Sequence, residues 1–160
     1  MINYKWINKY RTYGLRRVKI SKEYEKFRPL GIPTIQDRII QALYGFFLDP
    51  IIEVTPGPNS FGFRKGRNAH HVLGAIGRRL IQKKKFQRKE WIIEYDLKNF
   101  SNTISKEWIV YNLLFPPKSK HVLQSWLDAK VLEEKVWIEN GVPQGGVIFP
   151  MIANFVLNGL

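Results

Sequence analysis

Cysteine is absent from these 160 residues and histidine occurs only three times, so no disulfide framework and no cysteine-based zinc site can be built. His70 and His71 are adjacent and would point apart on a helix, while His121 stands alone, so they read as structural or phosphate-facing rather than as metal ligands. Long hydrophobic runs are missing too. Apolar stretches break at charge or turn residues, as in Leu43-Tyr44-Gly45-Phe46-Phe47-Leu48-Asp49-Pro50, far short of the ~20 apolar residues of a transmembrane helix; no membrane partner is expected. The start, Met1-Ile2-Asn3-Tyr4-Lys5-Trp6, has neither the apolar run of a secretory signal nor the Ser/Arg-rich pattern of a transit peptide, so no targeting peptide is expected.

Acidic residues are scarce as well, 13 against 26 basic ones, which leaves a formal net charge of +13. With 44% hydrophobic and 14% aromatic residues there is still ample material for a core, so wholesale disorder is excluded. Such an excess predicts attraction to a polyanion, because lysines and arginines that meet phosphates release condensed counterions. The charge is concentrated between Arg64 and Lys89, where Arg64, Lys65, Arg67, Arg78, Arg79, Lys83, Lys84, Lys85, Arg88 and Lys89 occur before the first acid, Glu90. A solvated helix face followed by a basic loop explains such a run without any ligand. The interleaved His70, His71 and Phe86 favour an RNA-binding face carried by Arg78, Arg79, Lys83, Lys84 and Lys85.

The first 27 residues, basic and aromatic without a clear period, are expected to form an N-terminal arm. Thr34 then caps a helix whose Ile35, Ile39, Ile40, Leu43, Phe46 and Phe47 recur at helical spacing until Pro50, so that this side of it is expected to be buried, with Asp37 explained by the cap. Turn residues follow over 55–62. A second helix from Asn68 to Lys84 would bury Val72, Leu73, Ile76, Leu80 and Ile81 and turn Arg78, Arg79 and Lys83 outward. Glu90 to Leu97 is rich in β-formers and apolar on both faces, as a central strand would be, with Asp96 at its exit. Ser105 caps a helix to about Leu114, another covers Ser119 to Ala129, and Val131 to Ile138 forms an irregular strand. The loop Gly141-Val-Pro-Gln-Gly-Gly leads into a last helix with Pro150 near its start. The whole reads as one α+β unit.

An aspartate delivered to the end of a buried strand is a common way to hold Mg²⁺, which takes one or two carboxylates plus substrate phosphates. Asp96 alone is placed so; a structural turn role is the alternative. Two-metal phosphoryl transfer needs further carboxylates, and the adjacent acids Glu133-Glu134 fall in an expected loop.

Four segments carry more specific information together. They begin at Arg28 (Arg-Pro-Leu-Gly-Ile-Pro-Thr-Ile-Gln-Asp-Arg), at Ser60 (Ser-Phe-Gly-Phe-Arg-Lys-Gly-Arg), at Tyr95 (Tyr-Asp-Leu-Lys-Asn-Phe-Ser) and at Gly141 (Gly-Val-Pro-Gln-Gly-Gly-Val-Ile-Phe-Pro). In order and spacing they resemble four successive blocks of group II intron-encoded reverse transcriptases and maturases, across residues 28 to 158. The resemblance implies an α+β fold, the fingers and part of the palm of a right-hand polymerase, over residues 28–160. It makes Asp96 the first catalytic aspartate and a ligand of Mg²⁺, and sets Arg28, Arg38, Arg64 and Arg67 against template and nucleotide phosphates, where a guanidinium fork suits phosphate geometry. Pro143, Gln144, Gly145 and Gly146 match the block beside the nascent base pair, with glycines that let the backbone come close to the nucleotide. Implied partners are group II intron RNA and a DNA primer and template.

The departures are informative. The family pattern Asp-Ile-Lys-Gly-Phe-Phe-Asp puts an aromatic five positions after the aspartate, beneath the sugar; here that position is Ser101, which would leave the space open to a ribose. Phe149 stands where the family has a small hydroxyl residue. The Tyr-Ala-Asp-Asp block does not occur in these residues, so the chain is expected to be truncated before it and inactive alone, the missing half acting in trans if at all. The alternative is a non-catalytic intron RNA-binding splicing factor. A ribosomal type of RNA-binding protein would explain the charge but not the four segments. Ile/Lys/Asn/Phe-rich usage fits an organelle genome, mitochondrial or chloroplast, with the bacterial cytoplasm also open.

Overall fold

The computed structural model describes residues 4–21, 27–54, 57–85, 91–98, 100–133, 136–138 and 142–158. Its helices are α1 (Tyr4–Lys9), α2 (Ile35–Glu53), α3 (Ala69–Lys85), α4 (Phe100–Thr103), α5 (Lys106–Asn112), α6 (Lys120–Leu127) and α7 (Phe149–Val156). One sheet runs in the order β2-β1-β3-β4, from β1 (Leu15–Ser21), β2 (Phe27–Ile32), β3 (Val131–Glu133) and β4 (Val136–Ile138). The β1–β2 and β3–β4 pairs are antiparallel, and β1 joins the two hairpins by pairing parallel with β3 through Leu15 and Val131.

Residues 4–21 are no detached arm. Tyr10 and Leu15 are buried, Leu15 packs with Ala129 and Val131 beneath the sheet, and Ile7 accepts a hydrogen bond from His121 Nε2 at 2.9 Å, which gives that histidine a structural role. The reason is a polar one. Asp37, fully buried near the start of α2, accepts from the Tyr10 hydroxyl, from Thr34 Oγ1 at 2.7 Å and from the Tyr13 backbone N–H at 3.3 Å, while Trp126 Nε1 donates to the Tyr10 oxygen at 3.0 Å. A carboxylate removed from water is tolerated only when its lone pairs are satisfied, and here residues 10–13 and Thr34 do so, with Trp126 of α6 bound to the Tyr10 oxygen.

This network turns α2 over. Its buried face is Asp37, Ile40, Gln41, Gly45, Leu48 and Ile52, whereas Ile35, Ile39, Leu43, Phe46 and Phe47, expected inward, are exposed. Thr34 caps the helix as expected, by accepting from the Asp37 N–H at 3.2 Å. Pro50 does not end it, since the last turn continues to Glu53. Under α2 lies the main core, where Tyr44 stacks on Phe115 at 4.8 Å and meets the edge of Trp126 at 5.5 Å.

Two further expectations fail. α3 forms, but Leu73, Ile76, Leu80 and Ile81 stay exposed on it. Residues 91–97 are not a strand: the backbone is irregular, and Trp91 is 96% exposed, with Ile92, Ile93 and Tyr95 also in solvent. A strand apolar on both faces is stable only with ladder partners and cover on both faces, and no described strand pairs with this one. The single irregular strand expected over 131–138 is instead the antiparallel pair β3 and β4, and Glu133, expected in a loop, ends β3 opposite Val136. The helix starts agree better. Ser105 caps α5 by accepting from the Trp108 N–H at 3.1 Å, with the exposed Glu107 carboxyl held below its ordinary range by its own backbone N–H and the Ser105 hydroxyl, and Pro150 opens α7.

Burial, and then donation to Asp37, raise the Tyr10 phenol above its ordinary pKa, so the folded state favours its neutral form. That contribution is complete below the unfolded tyrosine pKa of about 10 and is lost as pH climbs above it. Tyr10→Phe leaves Asp37 and Trp126 short of a partner and should cost about 1–3 kcal/mol in urea unfolding at pH 7. The gap to the unsubstituted chain should narrow between pH 10 and 11; a gap that stays constant over that interval contradicts the network.

Candidate nucleotide and nucleic-acid site

The segment Val142-Pro-Gln-Gly-Gly-Val147 is clamped from three sides. From β2, the Gly31 N–H donates to the Gln144 carbonyl at 2.7 Å. From α2, Gln41 Oε1 accepts from the Val147 N–H at 2.8 Å. From α4, Ser101 accepts twice: its carbonyl from the Val142 N–H at 2.8 Å and its hydroxyl from Gln144 Nε2 at 2.6 Å. The two glycines follow from that clamp. Gly145 has φ +117°, and a Cβ there would stand 2.7 Å from the Gly31 carbonyl oxygen; a Cβ on Gly146 would stand 2.9 Å from Gln41 Oε1. The close approach that the glycines permit is therefore to the chain's own β2 and α2.

Ser101 is only 5% exposed, so it is neither a surface residue nor the edge of an open slot. Its hydroxyl accepts from Gln144, so in this structure it supports that side chain. Gln41 escaped sequence reasoning, although the signal was present: Asp37, Gln41 and Gly45 recur every four residues on one face of α2, where the first two bind other segments and the third packs on Met151.

The arginines divide sharply. Arg38 is exposed on α2, three residues before Gln41, and so stands near the clamped segment. Arg64 is not available to a phosphate: its side chain is 1% exposed and its guanidinium donates to Ser60 Oγ at 2.8 Å, Glu53 Oε1 at 2.8 Å and Asn158 Oδ1 at 3.2 Å. It joins the end of α2, the turn after it and the end of α7. Arg67 is likewise turned inward, donating to the Ser60 carbonyl and lying 5.7 Å from the Phe61 ring centre. The Arg28 side chain lies outside the described residues, as do those of Lys83, Lys84 and Lys85, although their backbones belong to β2 and α3. Arg78 and Arg79 are exposed on α3, as expected.

Asp96 lies on the exposed segment 91–97. Among the described residues no three acidic, histidine or cysteine side chains gather where a metal could sit, so a lone carboxylate on irregular backbone does not fit a two-ion site by itself.

Residues 20–160 match the family described as "Reverse transcriptase (RNA-dependent DNA polymerase)". The chain is 33% identical over 159 residues to Protein YkfC of Escherichia coli, covering 93% of this chain and 40% of that protein. It is 32% identical over 157 residues to the group II intron-encoded protein LtrA of Lactococcus lactis, covering 94% of this chain and 25% of LtrA. A putative COX1/OXI3 intron 1 protein of Saccharomyces cerevisiae matches at 28% identity over 155 residues, 93% of this chain and 18% of that protein. The chain thus spans well under half the length of the relatives it matches.

Gly145→Ala combines a strained φ with a backbone collision and should cost at least about 2 kcal/mol. Gly62→Ala, where nothing lies within 4 Å, should change stability by less than about 0.5 kcal/mol. Arg64→Ala should cost about 3–5 kcal/mol by leaving a mostly buried Glu53 without its partner. Thermal unfolding of the three variants checks the set; an innocuous Gly145→Ala would mean that the clamp does not exist in solution.

Proposed function

The chain belongs to the reverse transcriptase family, with the α+β fingers-and-palm fold of that family and relatives among group II intron-encoded proteins, and from this premise we propose what it does. It acts as a group II intron-encoded RNA-directed DNA polymerase and maturase, of whose relatives these residues span part, its polymerase domain covering residues 28–160 with residues 4–21 packed into the same fold. It binds group II intron RNA and, once complemented, a DNA primer and template. Members of the family generally use divalent metal ions; here the ion would be Mg²⁺, held by Asp96 together with carboxylates that the described residues do not gather around it.

The observation that carries this reading is the contrast between two halves of one site. The segment 142–147 is already locked against β2, α2 and α4, while 91–97, which bears Asp96, is apolar on both faces and unpaired among the described strands. Such a segment suits a central strand that forms when neighbouring strands arrive, and the part of the relatives' length that this chain does not span can furnish them. We read Arg38 and the exposed face of the 143–146 segment as meeting nucleotide and template, Ser101 as the support of Gln144, and Arg78, Arg79 and Lys83–Lys85 as meeting RNA phosphates. The relatives include bacterial and yeast intron proteins, and an organelle, mitochondrion or chloroplast, is the compartment we favour.

A second reading, a splicing factor that binds intron RNA without polymerising, is favoured by the isolation of Asp96 among the described residues and by Ser101 in place of an aromatic. Both readings predict RNA binding, and they part on catalysis. The 160-residue chain alone should extend no primer on an RNA template with Mg²⁺ and dNTPs. Adding a polypeptide that contains the family's Tyr-Ala-Asp-Asp block should yield extension that Asp96→Asn abolishes, whereas no extension at any ratio supports the splicing factor. Affinity for structured RNA should fall with salt at roughly one log unit per log unit for each phosphate neutralised, and Arg78→Glu with Arg79→Glu should flatten that slope. No measurable RNA binding at low salt overturns both readings.

A further inference from the structure

Tyr13 is an exposed aromatic side chain that the Asp37 network holds at the wall of a groove, beside the buried Tyr10. Its backbone N–H is fixed to the buried carboxylate at 3.3 Å, the neighbouring Tyr10 is locked to the same group, and yet the Tyr13 side chain is 58% exposed. The arch from residue 10 to residue 13 is thus held rigidly while its aromatic ring is presented to solvent. On one side lies an open groove of about 750 Å³, walled by Lys9, Arg11, Thr12 and Tyr13 and by Gln36 and Ile39 of α2. On the other lies a second groove of about 350 Å³, bordered by the same Arg11, Thr12 and Tyr13 together with Asp128 and Lys130.

The chemistry of these walls selects among partners. Lys9 and Arg11 are exposed; Arg11 uses one nitrogen on the Tyr10 carbonyl at 2.9 Å, which leaves most of its fork facing outward. Asp128, the acid bordering the second groove, is engaged by Lys106 at 3.3 Å and by Gln124 Nε2 at 2.7 Å. The rest of the first groove's lining sets the apolar Ile39 and Ile40 beside the neutral Thr12 and Gln36, and Ile39 is exposed. A rigid aromatic, aliphatic lining residues and cations on the rim match a single strand of nucleic acid, whose bases stack and whose phosphates carry charge at every step. A second copy of this chain, itself at +13, is repelled from the same surface.

We propose that Tyr13 is a stacking platform for one base of a single-stranded RNA that runs along the Lys9–Tyr13 arch, with Lys9 and Arg11 on its phosphates. The inference rests on the reading of the chain as an RNA-binding protein and adds a site separate in sequence from the α3 arginines. The hydrogen bonds of the Tyr10 hydroxyl and the Tyr13 N–H to Asp37 reduce the ordering cost on binding, because the platform exists before the strand arrives.

The test uses the full 160-residue chain and a fluorescent 12-nucleotide oligouridylate, which has no secondary structure. Tyr13→Ala should weaken binding by about 5- to 100-fold at constant salt slope, and Tyr13→Trp should retain it. Lys9→Gln with Arg11→Gln should lower the log-log salt slope by about 1.4, roughly 0.7 for each single-strand phosphate left without its cation. The Tyr13 side chain makes none of the bonds to Asp37, so its truncation should leave the unfolding midpoint in place. Unchanged affinity in Tyr13→Ala, when the paired Arg78 and Arg79 reversals do weaken binding, overturns the platform and leaves the RNA-binding reading intact. Binding of an oligoglutamate peptide as tight as that of RNA, lost equally in Tyr13→Ala, overturns it in favour of an acidic peptide site. Absence of RNA binding by the unsubstituted chain overturns both proposals at once.

Discussion

A single buried carboxylate sets the geometry of this protein. Asp37 sits in the first turn of α2, where an acid is ordinarily a solvent-facing complement to the helix dipole. Here it is sealed from water and must be satisfied from within, by Tyr10, Thr34 and the Tyr13 backbone, with Trp126 of α6 closing the set through the Tyr10 oxygen. Once that face of α2 is inward, helical periodicity carries Gln41 and Gly45 inward with it. Gln41 is then in place to hold Val147, and Gly45 admits Met151 of α7 to 3.2 Å of where its Cβ would be. The segment 142–147 and the arch 10–13 are both consequences of one rotation about the α2 axis.

That rotation explains why the sequence was legible in part. The helices α2, α3, α5, α6 and α7 follow from apolar spacing, and the caps at Thr34 and Ser105 follow from side chains that compete for orphan N–H groups. The face of α2 did not follow, because counting apolar residues favours Ile35, Ile39, Leu43, Phe46 and Phe47 and gives no weight to two hydrogen bonds that reach Asp37 from more than twenty residues away. Arg64 misled for the same reason. A basic residue in a glycine-rich turn reads as a phosphate ligand until Glu53 and Asn158, distant in sequence, turn out to enclose it. The strand expected at 90–97 has the right composition, but strand formation is a property of pairs, and its partners are not among the described strands.

The functional picture is of a site prepared unevenly. The side that would meet the nascent base pair is rigid, since each of its glycines, its glutamine and Ser101 is fixed by another element. The side that bears the candidate catalytic carboxylate is exposed and irregular. Exposed apolar residues on α3 belong to the same pattern, a face without cover among the described elements. Ser101 illustrates how a departure from the family pattern is accommodated: its small hydroxyl fits beneath the 142–147 segment and holds Gln144, so an aromatic introduced there would meet packed structure.

Native-state amide hydrogen exchange, read residue by residue, tests this uneven preparation most directly. The account predicts strong protection at Gly31, Val142 and Val147, whose N–H groups hold the clamp, and fast exchange throughout 91–97 in the chain alone. On addition of a polypeptide carrying the family's later palm strands, residues 91–97 should become protected while the clamp stays as it was. Slow exchange at 91–97 in the isolated chain, or unprotected amides at Val142 and Val147, would contradict the account.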